Sequence, residues 1–189
     1  MLIRLMLMLT GFALATHGSA AVVNDVTVTR DGKMLVAEAD FVVAADRDDV
    51  VRAFTSFDRL QRINPAIVHS RAEAAGDGRI RVTTRVNDCV ALFCRSLTLV
   101  ELVSVDDDGN IVADIDPSGS DFKAGRTEWR FESLGPGTRV TYRSAMRPDF
   151  WMPPLVGRHA MQKALARQIA ASAANLESGP ADERQARKP

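Results

Sequence analysis

The feature that most constrains the fold is an alternation of apolar and polar residues that runs from Ile67 to Arg147 with a period of two. Successive side chains of a strand point to opposite faces of a sheet, so this period is typical of strands with one dry and one wet face. It is clearest in residues 79–86 and 126–131. There the row Ile80, Val82, Thr84, Val86 alternates with Arg79, Arg81, Thr83, Arg85, and the row Thr127, Trp129, Phe131 alternates with Arg126, Glu128, Arg130. The pattern therefore predicts a largely β domain.

Turn signals divide this stretch into short pieces. They occur at residues 76–78, 107–109, 117–119 and 135–137, and each contains glycine. Connections this short join antiparallel neighbours, so we expect a meander rather than a parallel sheet. The strands are predicted at 67–74, 79–88, 95–105, 110–116, 123–134 and 138–147.

The segment before the meander predicts a hairpin and two short helices. Strands at 22–29 and 33–43 flank the turn signal Asp31-Gly32. Asp46 is a typical N-cap for a helix with Phe54 on its apolar face. A second helical piece then ends at Asn64-Pro65, because proline lacks the N–H that a helix needs.

The segment after the meander predicts one long helix and a tail. Residues 155–176 carry apolar side chains at helical spacing, and this face is expected to cover the dry face of the sheet. Residues 177–189 are polar and have no period, so a disordered tail is expected. The domain itself is predicted to span 21–176.

Residues 1–20 resemble a cleaved signal peptide rather than part of the fold. Arg4 precedes two apolar stretches, and Gly18-Ser19-Ala20 supplies the small residues of a cleavage site. The apolar run is shorter than the roughly 20 residues that span a bilayer, although a buried amphipathic helix is the alternative. We therefore expect a periplasmic or secreted protein.

Cys89 and Cys94 are the two cysteines of the chain. They lie where one predicted strand ends and the next begins, so a disulfide between them would staple the tip of a hairpin. A four-residue gap does not fit the C-x-x-C redox motif, and no histidine is close in sequence for a metal site. In an oxidising compartment a structural disulfide is the expected state.

Charge and motifs exclude several functions. The chain has 24 Lys+Arg and 24 Asp+Glu, and it lacks the clustered basic excess typical of nucleic-acid binders. Metal-ligand spacings, a nucleophile elbow and a phosphate-binding glycine loop are missing from the sequence. We therefore expect no nucleic-acid partner, no metal and no cofactor, and the sequence nominates no catalytic residue. A monomer is expected, since no heptad pattern is visible.

The order of elements resembles the START-like, or SRPBCC, superfamily, which includes polyketide cyclases, coenzyme Q-binding proteins and lipid-transfer domains. The resemblance covers nearly all of residues 21–176, and its local supports are VVRAFTSFDRLQRINPAIVHSRA, GRTEWRFESLGPGTRVTYRSAM and PDFWMPPLVG. It implies an α+β helix-grip (START-like, Bet v-type) fold, in which a curved antiparallel sheet wraps around a long C-terminal helix. It also implies a hydrophobic cavity between the sheet and the helix.

The alternation within that fold predicts which residues line the cavity. The expected lining residues are Val82, Thr84, Val86, Ile111, Ala113, Trp129, Phe131, Tyr142, Met161, Leu165 and Ile169. Ordinary core packing is the alternative for each of them. Tyr142 is more informative, because a buried phenol needs a hydrogen-bond partner in the protein or in a ligand.

Successive loops of a meander alternate between the two ends of the sheet, which predicts a cavity mouth. The loops at 89–94, 117–123 and 148–154 share an end, and Asn64 enters the next strand there. Their apolar residues indicate a binding or membrane-contact surface, unless they fold inward and close the core. The predicted mouth residues are Asn64, Phe93, Phe122, Phe150, Trp151 and Met152.

Two functions from different classes follow from the resemblance. The first is a periplasmic carrier or binder of a hydrophobic small molecule such as a lipid, a quinone or an isoprenoid, with transient membrane contact during exchange. The second is a polyketide cyclase or dehydratase-like enzyme, which would need a buried ionisable residue in the cavity. A protein-docking module remains as a third alternative, which absence of a cavity would favour.

Overall fold

One eight-stranded sheet, antiparallel throughout, carries the fold in the computed structural model of the protein, which describes residues 22–90, 93–152 and 157–179 and only the backbone of Phe93. Two α-helices and a 3₁₀ helix complete the described part. The elements in chain order are β1 (Val22–Asp31), β2 (Met34–Val43), α1 (Arg47–Thr55), the 3₁₀ helix (Phe57–Arg62), β3 (Ile67–Ala74), β4 (Ile80–Val90), β5 (Phe93–Val105), β6 (Ile111–Ile115), β7 (Phe122–Leu134), β8 (Gly137–Pro148) and α2 (Arg158–Ser178).

The sheet is a meander whose last strand pairs with the first hairpin. Its order is β1-β2-β8-β7-β6-β5-β4-β3, so β8 lies between β2 and β7. Val140 on β8 is opposite both Phe41 and Phe131, and the three side chains are buried together. The pairing of β2 with β8 joins the first hairpin and the meander into one sheet.

The short helices close one side of the sheet's inner face. Asp46 caps α1 by accepting a hydrogen bond from the Asp48 N–H at 3.0 Å. Val50 and Phe54 form the buried face of this helix. The 3₁₀ helix is tied to β3, because the carboxylate of Asp58 accepts the Ala72 N–H at 2.7 Å. These contacts fix the helical segment beside β3.

Helix α2 lies across the inner face and is held by hydrogen bonds along its length. The side chain of Gln162 donates to Val26 O at 2.5 Å, and that of Asn175 donates to Ile63 O at 2.9 Å. Ile169 and Ala173 between them are buried. The helix therefore lies opposite the sheet with an apolar face turned inward.

The predicted α+β architecture is confirmed, and the strand bounds differ from the predicted ones by at most two residues. Helix α2 runs to Ser178, so the first two residues of the predicted tail are helical, and the helix ends before Gly179 at a φ of 62°. The remaining tail, 180–189, and the leader, 1–20, lie outside the described residues. Of the described helices, none is long and apolar enough to cross a membrane.

Candidate ligand cavity

A cavity of about 240 Å³ lies between the inner face of the sheet and α2. The helix contributes Leu165, Gln168, Ile169 and Ser172, a spacing that places all four on one face of a helix. The sheet contributes inward-facing residues of β4 to β8, and the short helices close one side. The predicted lining residues found there are Val82, Thr84, Val86, Ile111, Ala113, Trp129, Tyr142, Leu165 and Ile169.

Two predicted lining residues lie elsewhere. Phe131 is buried in the core, where its ring packs 5.1 Å from that of Phe54, and Phe54 stands at the cavity in its place. Met161 lies one turn before Leu165, near the start of α2, where neighbouring Gln162 bonds to β1. Alternation assigns a side chain to the inner face, but only packing decides whether that side chain reaches empty space.

Aromatic rings form one wall of the cavity. Trp129 lies 4.9 Å from Phe54 and 4.4 Å from Tyr142, measured between ring centroids, and all three line the cavity. Tilted rings at these separations attract one another, so they stabilise the wall beyond the area they bury. The wall offers an apolar aromatic surface to a ligand.

Glu101 is a lining residue that the sequence reasoning missed. It lies on β5 between its strand partners Val82 and Ile115, and no hydrogen bond or ion pair to its carboxyl is present among the described residues. Burial raises the pKa of its carboxyl to about 7, because the charged form loses hydration there. The available signal was that Glu101 is the single charged residue between Ser96 and Val105.

Tyr142 has a protein partner for its phenol group. It shares a hydrogen bond with Ser144, whose hydroxyl is in turn 3.2 Å from that of Thr127. Burial raises the pKa of Tyr142 to about 12, and the neighbouring charge of Glu101 acts in the same direction. Glu101 and Tyr142 are thus the two titratable groups among the described lining residues, and Glu101 is the one whose side chain has no partner among the described residues.

A polar bridge joins α2 to the hairpin of β4 and β5. The amide of Gln168 donates to the carboxylate of Asp88 and receives a hydrogen bond from Asn64 at 3.3 Å. Arg167 donates to Cys89 O at 3.2 Å. Since Gln168 and Asn64 also line the cavity, the bridge forms part of its wall.

The structure joins Cys89 and Cys94 by a disulfide. The two residues are direct cross-strand partners, with Cα atoms 3.9 Å apart, and pairing continues to Val90 and Phe93. The bond therefore closes the tip of the β4–β5 hairpin, next to the polar bridge. No group of three or more His, Cys, Asp or Glu side chains suited to a metal ion occurs in the described part of the chain.

The segments of the predicted mouth meet at one end of the sheet. The rings of Phe122 and Phe150 pack edge to face at 5.8 Å, and the Arg95 guanidinium lies 4.4 Å above the ring of Phe150. Phe122 is buried, whereas Trp151 is 70% exposed.

Asn64 lines the cavity, but the other predicted mouth residues whose side chains are described, Phe122, Phe150, Trp151 and Met152, do not. Phe122 and Phe150 contact each other, so these rings close this end of the core instead of standing free.

An antiparallel sheet wrapped around one long helix, with an apolar cavity between them, defines a helix-grip protein of the START-like class. The chain belongs to the family described as polyketide cyclase / dehydrase and lipid transport, whose model matches residues 34–178. That family is one of hydrophobic-ligand binding and polyketide cyclase-like folds. No curated protein matches the chain in sequence.

Solved structures with the same fold come from both branches of this class. The Zhui aromatase/cyclase from Streptomyces sp. R1128 has a TM-score of 0.60 and 18% identity, over 82% of this chain and 96% of that one. The STAR-related lipid transfer protein from Xanthomonas axonopodis has a TM-score of 0.55 and 16% identity, over 80% and 98%. The lipid transfer and protein localization domain of human StarD13 has a TM-score of 0.58 and 12% identity, over 83% and 89%. At these identities the likeness is one of fold.

Proposed function

We propose that the protein binds and carries a hydrophobic small molecule, such as a quinone, an isoprenoid or another lipid, in the periplasm. The cavity beneath α2 carries this proposal, because most of its lining is aliphatic or aromatic. A ligand there would gain about 25 cal/mol per Å² of apolar surface removed from water, before ordering costs are deducted.

The size of the cavity favours a small or partly inserted ligand. Pockets for drug-sized ligands measure roughly 300–1,000 Å³, and this cavity measures about 240 Å³. A ring-sized head group or a short isoprenoid fits that space better than a complete phospholipid. The aromatic wall of Phe54, Trp129 and Tyr142 suits such a group.

Two further observations support a periplasmic site of action. The sequence pattern of residues 1–20 is that of a signal peptide, and the Cys89–Cys94 disulfide is of a kind that persists in oxidising compartments. Exposed Trp151 is suited to membrane contact during exchange, since indole rings partition to the bilayer interface.

Native protein tests the carrier function. Protein purified from its own periplasm, extracted with organic solvent and examined by mass spectrometry, is expected to yield a stoichiometric lipid-like molecule. Protein that is empty and also fails to bind fluorescent lipids would refute the proposal. The variant Trp151→Phe provides a reporter, because Trp129 in the cavity wall is then the single tryptophan of the chain.

Glu101 supports a second candidate function, that of a cyclase or dehydratase-like enzyme. A carboxyl with a pKa near 7 is suited to move protons at neutral pH, and this one faces the cavity without a protein partner among the described residues. The reaction would begin when Glu101 removes a proton from carbon next to a ligand carbonyl. Deuterium exchange into a bound 1,3-diketone, lost in Glu101→Gln, would support it, and equal exchange in both proteins would exclude it.

A further inference from the structure

We propose that Glu101 binds its ligand as a neutral carboxylic acid, donating its O–H to a carbonyl or another uncharged oxygen acceptor of a hydrophobic molecule. This inference rests on the proposed cavity function and names the chemistry of the ligand's polar end. It also makes ligand affinity dependent on one proton held by the protein.

Glu101 carries the one carboxyl among the described lining residues, and several of the other polar groups there are already bonded within the protein. Tyr142 shares its bond with Ser144, Gln168 bridges Asn64 and Asp88, and these groups are thereby occupied. No described residue hydrogen-bonds to the half-buried Glu101 carboxyl, which faces the cavity. An oxygen acceptor on the ligand would satisfy it.

The surroundings favour an uncharged partner over a cation. Tyr142 on β8 is the other titratable residue among the described lining residues, and it carries no charge at neutral pH. The neighbours of Glu101 on β4 and β6 are Val82 and Ile115, and α2 presents Leu165, Gln168, Ile169 and Ser172. An ion pair here would require two charges to lose their hydration, whereas a neutral O–H donor loses far less.

The direction of the pH effect follows from this arrangement. Burial places the pKa of Glu101 near 7 before ligand binds, and a hydrogen bond donated to the ligand raises that pKa further. Ligand binding is then coupled to proton retention, so affinity falls as pH rises through 7. For one coupled proton, the affinity at pH 8 is expected to be about tenfold weaker than at pH 6.

Two ring-shaped probes of similar size test the proposal. Menadione carries two carbonyl oxygens, and 2-methylnaphthalene has a similar ring system with none. Both are titrated into Trp151→Phe protein, with Trp129 fluorescence and calorimetry as readouts. We expect menadione to bind at least tenfold more tightly than 2-methylnaphthalene at pH 6 and to weaken about tenfold at pH 8.

Substitutions at Glu101 separate the inference from the proposed function. Glu101→Gln retains an N–H donor and is expected to bind menadione with no dependence on pH, whereas Glu101→Leu is expected to lose the preference for menadione. If both probes bind wild type equally, or if affinity rises with pH, the inference is wrong while the binding function stands. If neither probe nor any fluorescent lipid binds, the binding function fails and the inference with it.

Discussion

The side-chain amide of Gln168 on α2 donates a hydrogen bond to the carboxylate of Asp88 on β4, the residue before disulfide-bonded Cys89. This bond joins elements 80 residues apart in sequence. Through Asn64 the same amide reaches the turn that leads into β3. One side chain therefore ties the cavity wall, the hairpin and the helix together.

Replacement of Gln168 by alanine is expected to loosen this junction. The change removes two hydrogen bonds and leaves Asp88 without its amide donor, so the free energy of unfolding should fall by about 1–3 kcal/mol. Urea unfolding measures the loss. Asp88→Asn keeps an acceptor oxygen and should lose less, and wild-type stability in Gln168→Ala would show that the bridge contributes nothing.

Glu101 is expected to make stability depend on pH. Its pKa is about 7 in the folded protein against 4.5 unperturbed, so the folded chain holds an extra proton between these values. The stability contributed by neutral Glu101 is full below pH 4.5 and is lost as pH rises through 7. The total change in the free energy of unfolding is on the order of 3 kcal/mol.

Chemical denaturation at pH 5 and pH 8 measures this dependence. Glu101→Gln should flatten it and should be more stable than wild type at pH 8. Glu132→Gln, at an exposed position of β7, is the matched control and should leave the dependence unchanged. If the stability of Glu101→Gln depends on pH as that of wild type does, Glu101 is not the source of the pH dependence.

Filling the cavity is expected to separate stability from binding. Ala113 is buried and lines the cavity, so Ala113→Leu places three added carbons in space that a ligand would occupy. Binding of menadione should weaken at least tenfold, while the free energy of unfolding stays level or rises by about 1 kcal/mol. Ala124→Leu, at an exposed position of β7, should bind normally. Equal binding by both variants would place the ligand elsewhere.

The disulfide is expected to contribute modestly to stability. Closing so short a loop removes unfolded-state entropy equivalent to about 2 kcal/mol by the chain-entropy relation. The double variant Cys89→Ser, Cys94→Ser should lose about that much in urea unfolding, and reductant should lower wild type to the same level. If reductant lowers the free energy of unfolding of wild type but not that of the double variant, the loss is due to the disulfide. An equal loss in both proteins would contradict this.

Trp151 is expected to mediate membrane contact. Its ring is 70% exposed, and interfacial partitioning of indole favours contact with a bilayer. Trp151→Ala should reduce cosedimentation with phosphatidylglycerol–phosphatidylethanolamine vesicles severalfold. Leu134→Ala, which changes an exposed apolar residue next to the β7–β8 turn, is the control and should bind as wild type. Equal losses would indicate nonspecific adsorption.

Much of the fold could be predicted because its signals are local. The period of two, the glycine turns and the Asp46 cap each depend on residues a few positions apart, and the resulting bounds lie close to those of the structure. The pairing of β2 with β8 had no such signal, because Phe41 and Val140 meet only through the assembled sheet.

The sequence by itself determined which side chains turn inward, because alternation is set by the pleat of each strand. Only the tertiary structure decided which of them reach the cavity: Phe131 is packed behind Phe54, whereas Glu101 faces the open space without a partner in the described part of the chain. Burial depends on elements distant in sequence, and it raises the pKa of this glutamate carboxyl to about 7.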